Sequence, residues 1–262
     1  MPELPEVRTV VKFLNTLKNN QFIKIETHLE GMFSSELAEK LINQKIKSVS
    51  SLGKYIIFHL TDYNLISHLR MEGKYYYQDT YEKTKHDHVI FHLTSGYLYY
   101  NDTRKFGTFD LRVDNTYDMP PLSKLGKEPF LITLEELYPK LKKSTRAIKS
   151  LLLDQHIISG IGNIYADEIL FLSKINPKTK GNQLKKAQVK MIIDNAVIVL
   201  NEAIKAGGTT IHSFSSNADV GWFQLNLNVH LQYNKPCKVC KTPIKKTKIN
   251  ERTSYYCEHC QP

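Results

Sequence analysis

Cys237-Lys-Val-Cys240 and Cys257-Glu-His-Cys260, separated by sixteen residues, hold all four cysteines of this 262-residue chain. A CxxC turn presents two thiolates to one ion with little strain, and two such knuckles complete a tetrahedral zinc site. The stretch between them, Lys241 to Tyr256, is long enough for two short strands and a turn, the layout of a zinc ribbon. Two disulfides are the alternative use of four cysteines. Reduced cytosolic thiols and the lack of a secretory signal pattern speak against them. Four protein ligands leave no coordination position open, so one structural Zn ion is expected, folding the ribbon and doing no chemistry.

The ribbon is also strongly basic: from Lys235 onward there are seven basic residues and two acidic ones. The net charge of +10 is unevenly spread, with 17 Lys and Arg against 16 Asp and Glu in residues 1–130, and 19 against 10 in residues 131–262. A near-neutral front and a basic back predict a polyanion-binding C-terminal region, although a solvated lysine-rich surface has the same composition. Hydrophobic content is 41% and no uninterrupted apolar run approaches membrane-spanning length, so a membrane partner is not expected and a cytoplasmic location is.

Toward the N-terminus, Val7, Val10, Val11, Phe13, Leu14 and Leu17 follow helical spacing, with Pro5 in the first turn and Glu6 at the positive end of the dipole. From Phe22 to about Val113 the pattern is β, with Tyr55–Leu60, Tyr75–Tyr77, His88–Leu93 and Tyr97–Tyr100 broken by Gly53, Gly73, Gly96 and Gly107. Short strands with regular breaks predict a two-layer sandwich. Residues 115–130 are rich in Pro and Gly and read as a linker. Beyond it the periodicity is helical: Thr133-Leu-Glu-Glu136 fits a capping box, and helices are expected near 145–156, 163–174 and 183–206, the last ended by Gly207-Gly208.

Asp154-Gln-His-Ile-Ile-Ser-Gly-Ile-Gly-Asn-Ile-Tyr-Ala-Asp-Glu168 lies between two of those helices. Gly160 and Gly162 allow a compact double turn, and Asn163 is placed to cap the helix that follows. Free N–H groups at such a helix start, approached past glycines, suit a phosphate, although an ordinary helical hairpin has the same spacing.

Taken together, these motifs resemble bacterial formamidopyrimidine-DNA glycosylases from end to end. The resemblance is carried by Pro2-Glu-Leu-Pro-Glu-Val7, Gly53-Lys-Tyr55, His68-Leu-Arg-Met71, Lys85-His-Asp-His88, Asn101-Asp-Thr-Arg-Lys-Phe-Gly107, the glycine turn, Gly207-Gly-Thr-Thr210 and the four-cysteine ribbon with Arg252. It implies an α+β multidomain fold: an N-terminal β-sandwich with a leading helix (1–118), a helix–two-turn–helix domain (130–222) and a zinc-ribbon finger (228–262). It further implies a monomer that binds double-stranded DNA containing oxidised purines or abasic sites, excises 8-oxoguanine and formamidopyrimidines, and cuts the backbone by β,δ-elimination. Such a protein would sit in the bacterial cytoplasm, associated with the nucleoid through its DNA.

The resemblance assigns roles residue by residue. Pro2, freed of Met1, is the nucleophile for the sugar C1′, its secondary amine titrating at about pH 8 and so partly neutral at pH 7. Glu3 shuttles protons to the sugar ring oxygen or the leaving base. Lys54 donates a proton in β-elimination and touches phosphate, and Arg252 binds phosphate and assists δ-elimination. Met71, Arg104 and Phe106 fill the gap left by the flipped base, Phe106 as wedge and Arg104 against the orphaned partner base. His68, His86, Lys149 and Asn163 match DNA or phosphate contacts, and His88 is a weaker candidate beside His86. Leu4 favours the oxidised-purine branch over the pyrimidine-specific one. Several positions depart from the family pattern: Thr103 and Lys105 in the wedge loop, Arg70 and Glu72 beside Met71, and His230-Leu-Gln-Tyr233 in place of the usual Tyr-Gly-Arg. A covering loop is expected over Phe214 to Gln224. Two other readings remain open on these residues, a non-catalytic zinc-ribbon DNA binder and a pyrimidine-specific enzyme.

Overall fold

The computed structural model describes residues 1–113, 116–209 and 226–262. Thr210 and the Phe214–Gln224 loop therefore lie outside the described residues. The chain divides into two compact units: Met1–Ser123 with the segment that begins at Gly207, and Lys124–Ala206 with the C-terminal segment through Pro262.

The first unit is the expected sandwich. Helix α1 (Leu4–Leu14) starts at a Pro and buries Leu4, Val7, Val10 and Leu14 on one face. One sheet has the order β1 (Phe22–Thr27), β6 (Asp87–Leu93), β7 (Gly96–Asn101), β5 (Lys74–Gln78); the other runs β2 (Ser48–Leu52), β3 (Tyr55–His59), β4 (Asn64–His68), β8 (Thr108–Arg112). Alternate residues of both sheets, among them Ile56, Phe58, Val89, Phe91, Leu98 and Tyr100, meet in one core with α1. That is the period-two burial a strand with one core-facing side requires. The β region also contains a helix that periodicity did not indicate: α2 (Ser35–Leu41), capped where the Ser34 hydroxyl accepts the Leu37 N–H at 3.1 Å.

In the second unit, α3 (Leu134–Lys142) begins at the expected Thr133/Glu136 capping box. The helix expected over 145–156 is only α4 (Ile148–Leu152), because the chain turns away at Asp154 into the glycine double turn. It is followed by α5 (Asn163–Leu172) and α6 (Lys186–Lys205). The expected linker is not loose along its length: Gly126, Glu128 and Pro129 are buried, and the Gly126 N–H donates to Gln155 O at 2.8 Å. The ribbon hairpin consists of β9 (Lys245–Ile249) and β10 (Arg252–Tyr256). Its core takes in Phe171 of α5 with Val229, Cys237, Ile244 and Cys257, so helices and ribbon share one interior. Among the described residues no helix is long and apolar enough to cross a membrane.

Candidate active site

In the first unit the start of the chain is part of the core. Pro2 and Glu3 are buried. The Glu6 carboxylate, itself buried, fixes them: it accepts the Glu3 N–H at 2.9 Å on one oxygen and the Thr209 N–H and hydroxyl at 2.8 and 3.0 Å on the other. Three donors on one carboxylate leave it little freedom to rotate. Glu6 was read only as a helix-dipole acid, and its contact with a residue two hundred positions away left no local signal.

Lys54 occupies the second position of the two-residue hairpin between β2 and β3, after Gly53 at φ 57°, and is largely buried. Its charge is felt at His68, whose ring lies edge-on to Tyr55 at 4.5 Å. His68 Nδ1 accepts the Arg70 N–H at 3.0 Å. Burial first, then the Arg70 and Lys54 charges, lower its pKa to about 3. The ring is therefore neutral, with its one N–H on Nε2.

The wedge loop depends on Asp102, which is fully buried. Its carboxylate accepts the N–H groups of Arg104, Phe106 and Gly107 at 3.0, 2.9 and 2.8 Å, while its carbonyl bonds His88 Nε2 at 2.9 Å. The loop projects Arg104 and Phe106 outward, the guanidinium 4.9 Å from the ring centroid and the ring 51% exposed. An exposed Phe held by a rigid loop differs from the core reading of the same residue. A Cβ on Gly73 or on Gly107 would collide with the Tyr100 hydroxyl, so one tyrosine seats both the Met71 turn and the wedge loop. Thr103 and Glu72, two of the departures, hydrogen-bond each other between those segments. His88 is corrected from a DNA-facing candidate to a support of Asp102. Alternation fails there because the register shifts between Asp87 and Val89, and His86 lies in the turn ahead of β6, half-buried.

In the second unit, Lys149, Asn163 and Arg252 are brought together. Lys149 Nζ donates to Asp167 at 2.6 Å and to Thr253 O at 3.1 Å, and Asn163 Nδ2 donates to the same carbonyl at 3.2 Å. Thr253 follows Arg252, which itself follows the Asn250-Glu251 turn, both of whose residues have positive φ. Lys149 has no exposed surface, so its expected phosphate contact becomes a supporting role. Asn163 is not the cap. Gly162 takes that position, in an extended conformation and with no side-chain cap hydrogen bond. The double turn is held by Gln155, whose amide bonds Leu153 O, Ile161 O and the Gly160 N–H at 2.9 to 3.0 Å. Arg252 lines an open cavity of about 200 Å³ with Arg146, Ser150, Asp154 and Asn250.

The four cysteine sulfurs lie within 4.8 Å of one another, at 3.9 Å for Cys237–Cys260 and 3.4 Å for Cys240–Cys257. A tetrahedron with Zn–S bonds of about 2.3 Å has edges of roughly 3.8 Å, so the donor set fits one Zn ion. Gln261 reinforces the second knuckle: its side chain accepts the Cys257 N–H and donates to Ile175 O, both at 2.9 Å.

A β-sandwich with a buried chain start and a glycine–lysine hairpin turn, on a chain that also carries a helix–two-turn–helix and a thiolate ribbon, defines a class: the DNA-repair glycosylases of this build. Family models agree with it segment by segment. The formamidopyrimidine-DNA glycosylase N-terminal domain matches residues 1–109, the helix–two-turn–helix domain of the same enzymes 125–215, and a zinc finger found in these glycosylases and isoleucyl-tRNA synthetases 234–262. Proteins named formamidopyrimidine-DNA glycosylase from Mycoplasma mobile and Ureaplasma parvum are 45% and 44% identical, aligned over all of this chain and 99% and 100% of theirs. A Lactococcus lactis FPG mutant solved with Fapy-dG-containing DNA superimposes with TM-score 0.94 at 37% identity, covering 99% of both chains; an abasic-site DNA complex of the same protein gives the same figures. The chain belongs to the formamidopyrimidine-DNA glycosylase family, base-excision-repair enzymes with glycosylase and abasic-site lyase activity.

Proposed function

We propose that the chain is a monomeric, bifunctional glycosylase and lyase that removes 8-oxoguanine and formamidopyrimidines from duplex DNA through a covalent intermediate on Pro2. The observation that carries this reading is the buried chain start, Pro2-Glu3, locked by Glu6 to Thr209. The Glu3–Glu6 capping box holds an acid directly beside the residue whose nitrogen becomes a secondary amine once Met1 is removed. The names of the relatives and the Lactococcus lactis complexes with Fapy-dG and abasic DNA support the same substrate class.

Removal of Met1 turns the Pro2 nitrogen from an amide into an amine. That nitrogen bonds to C1′ as the C1′–base bond breaks and the base leaves with the electron pair. Glu3 gives a proton to the ring oxygen as the C1′–O4′ bond opens, which leaves an iminium. Loss of a C2′ proton breaks the C3′–O bond, and loss of a C4′ proton then breaks the C5′–O bond, so both phosphates depart. Lys54 and Arg252 meet the phosphate charge, and His68 adds a neutral N–H. Phe106, Met71 and Arg104 fill and read the vacated stack. Zinc, held by Cys237, Cys240, Cys257 and Cys260, supplies folding energy to the ribbon.

Borohydride trapping on a duplex with one 8-oxoguanine opposite cytosine tests this. The enzyme forms a covalent adduct that Pro2→Gly abolishes. A reversible complex without adduct would make the chain a binder, and faster cutting of thymine glycol would move it to the pyrimidine branch.

A further inference from the structure

His230 stands where the sequence leaves the family pattern, and the structure gives it a defined task. Glu168 accepts the backbone N–H groups of Asn228, Val229 and His230 at 2.8 to 2.9 Å, fixing that segment on α5. The imidazole is thereby presented to the neighbouring carboxylate: Nδ1 lies 2.8 Å from one Asp167 oxygen, while Lys149 Nζ lies 2.6 Å from the other. Neither Lys149 nor Asp167 has exposed side-chain surface, and His230 has almost none. A carboxylate oxygen accepts, so Nδ1 is the donor in this contact. Lys149 then directs a further N–H to Thr253 O. The ring also packs edge-on against Tyr255 of the same strand, at 5.2 Å.

We propose that His230 is a positioning residue for Arg252. By holding one oxygen of Asp167 it orients the other toward Lys149, which grips the carbonyl of the residue after Arg252 and sets where the guanidinium meets phosphate. The proposal rests on the bifunctional reaction above and concerns its last step: departure of the phosphate from C5′ as a C4′ proton is lost.

The experiment uses the zinc-loaded full chain and a duplex with one abasic site, so base excision is bypassed. His230→Asn puts an amide N–H close to the Nδ1 position; His230→Gln puts it near Nε2, away from Asp167. With zinc content equal, His230→Asn should keep the wild-type ratio of δ- to β-elimination product. His230→Gln should lower it about fivefold, the rate equivalent of one buried hydrogen bond, while borohydride trapping proceeds at the wild-type rate. Equal ratios in the two variants overturn the proposal, as does a parallel fall of trapping and δ-product in both. A wild-type chain that gives no adduct would instead refute the reaction itself.

Discussion

His68 shows how burying one ring can carry a stability cost that depends on pH. Its pKa, about 3 in the fold against 6.5 unperturbed, is lowered chiefly by burial and then by Arg70 and Lys54. A depressed histidine value means that the unfolded chain binds the proton first. Stability is therefore retained above pH 6.5 and lost as pH falls toward 3, by up to about 1.4 kcal/mol per pH unit. The unfolding free energy of the wild type should drop relative to His68→Asn when urea titrations are repeated between pH 7 and 5. A pH-independent difference would show that folding leaves the ring's affinity for protons unchanged. Over the same range its Nε2–H remains a donor, so DNA binding should gain no new positive charge at this position.

At the scale of elements, the 102–107 loop is rigid because one carboxylate gathers its N–H groups. Asp102→Ala leaves three of them without that partner and should cost about 2 kcal/mol or more. It should also blur the choice between cytosine and adenine opposite the lesion nearly as much as Arg104→Ala, a base-edge contact being worth about 1–3 kcal/mol of discrimination. Cleavage rates against the two partner bases measure this, and an unchanged preference in Asp102→Ala would detach the loop from base reading. The ribbon's entry turn is a second case. Leu231 holds φ 60° with its side chain 53% exposed, a left-handed conformation kept although the family's glycine is absent. Leu231→Gly should raise ribbon stability by about 0.5–1 kcal/mol, the relieved strain exceeding the entropy that glycine adds to the unfolded chain. A lower midpoint in guanidinium would contradict that.

For the whole molecule, the ribbon shares an interior with the helices through Phe171 and is tied to Ile175 by Gln261. Chelation, or Cys240→Ser, should thus abolish DNA binding in a gel-shift assay and expose the ribbon to protease while the sandwich stays resistant. Tight binding by metal-free protein is the contrary result. Much of this plan was legible in the residues: the CxxC pairs, the Thr133 box, the alternating strands and the glycine double turn all act through neighbours in sequence. What escaped acts across long separations. Glu6 meets Thr209, His88 supports Asp102, and Glu168 clamps residues 228–230; no local pattern marks such partners. Lys149 was misread for a related reason, since a lysine aligned with a phosphate contact reveals nothing of the aspartate that encloses it.

That enclosure affects how ionic strength reports on binding. Mobile ions condense around DNA and are released when exposed cations replace them, so the slope of log affinity against log salt counts only those cations. Lys149, sealed against Asp167, has no share in the exchange, and His68 carries no charge to contribute. The slope will therefore count exposed cations alone, and neither residue will leave a trace in it.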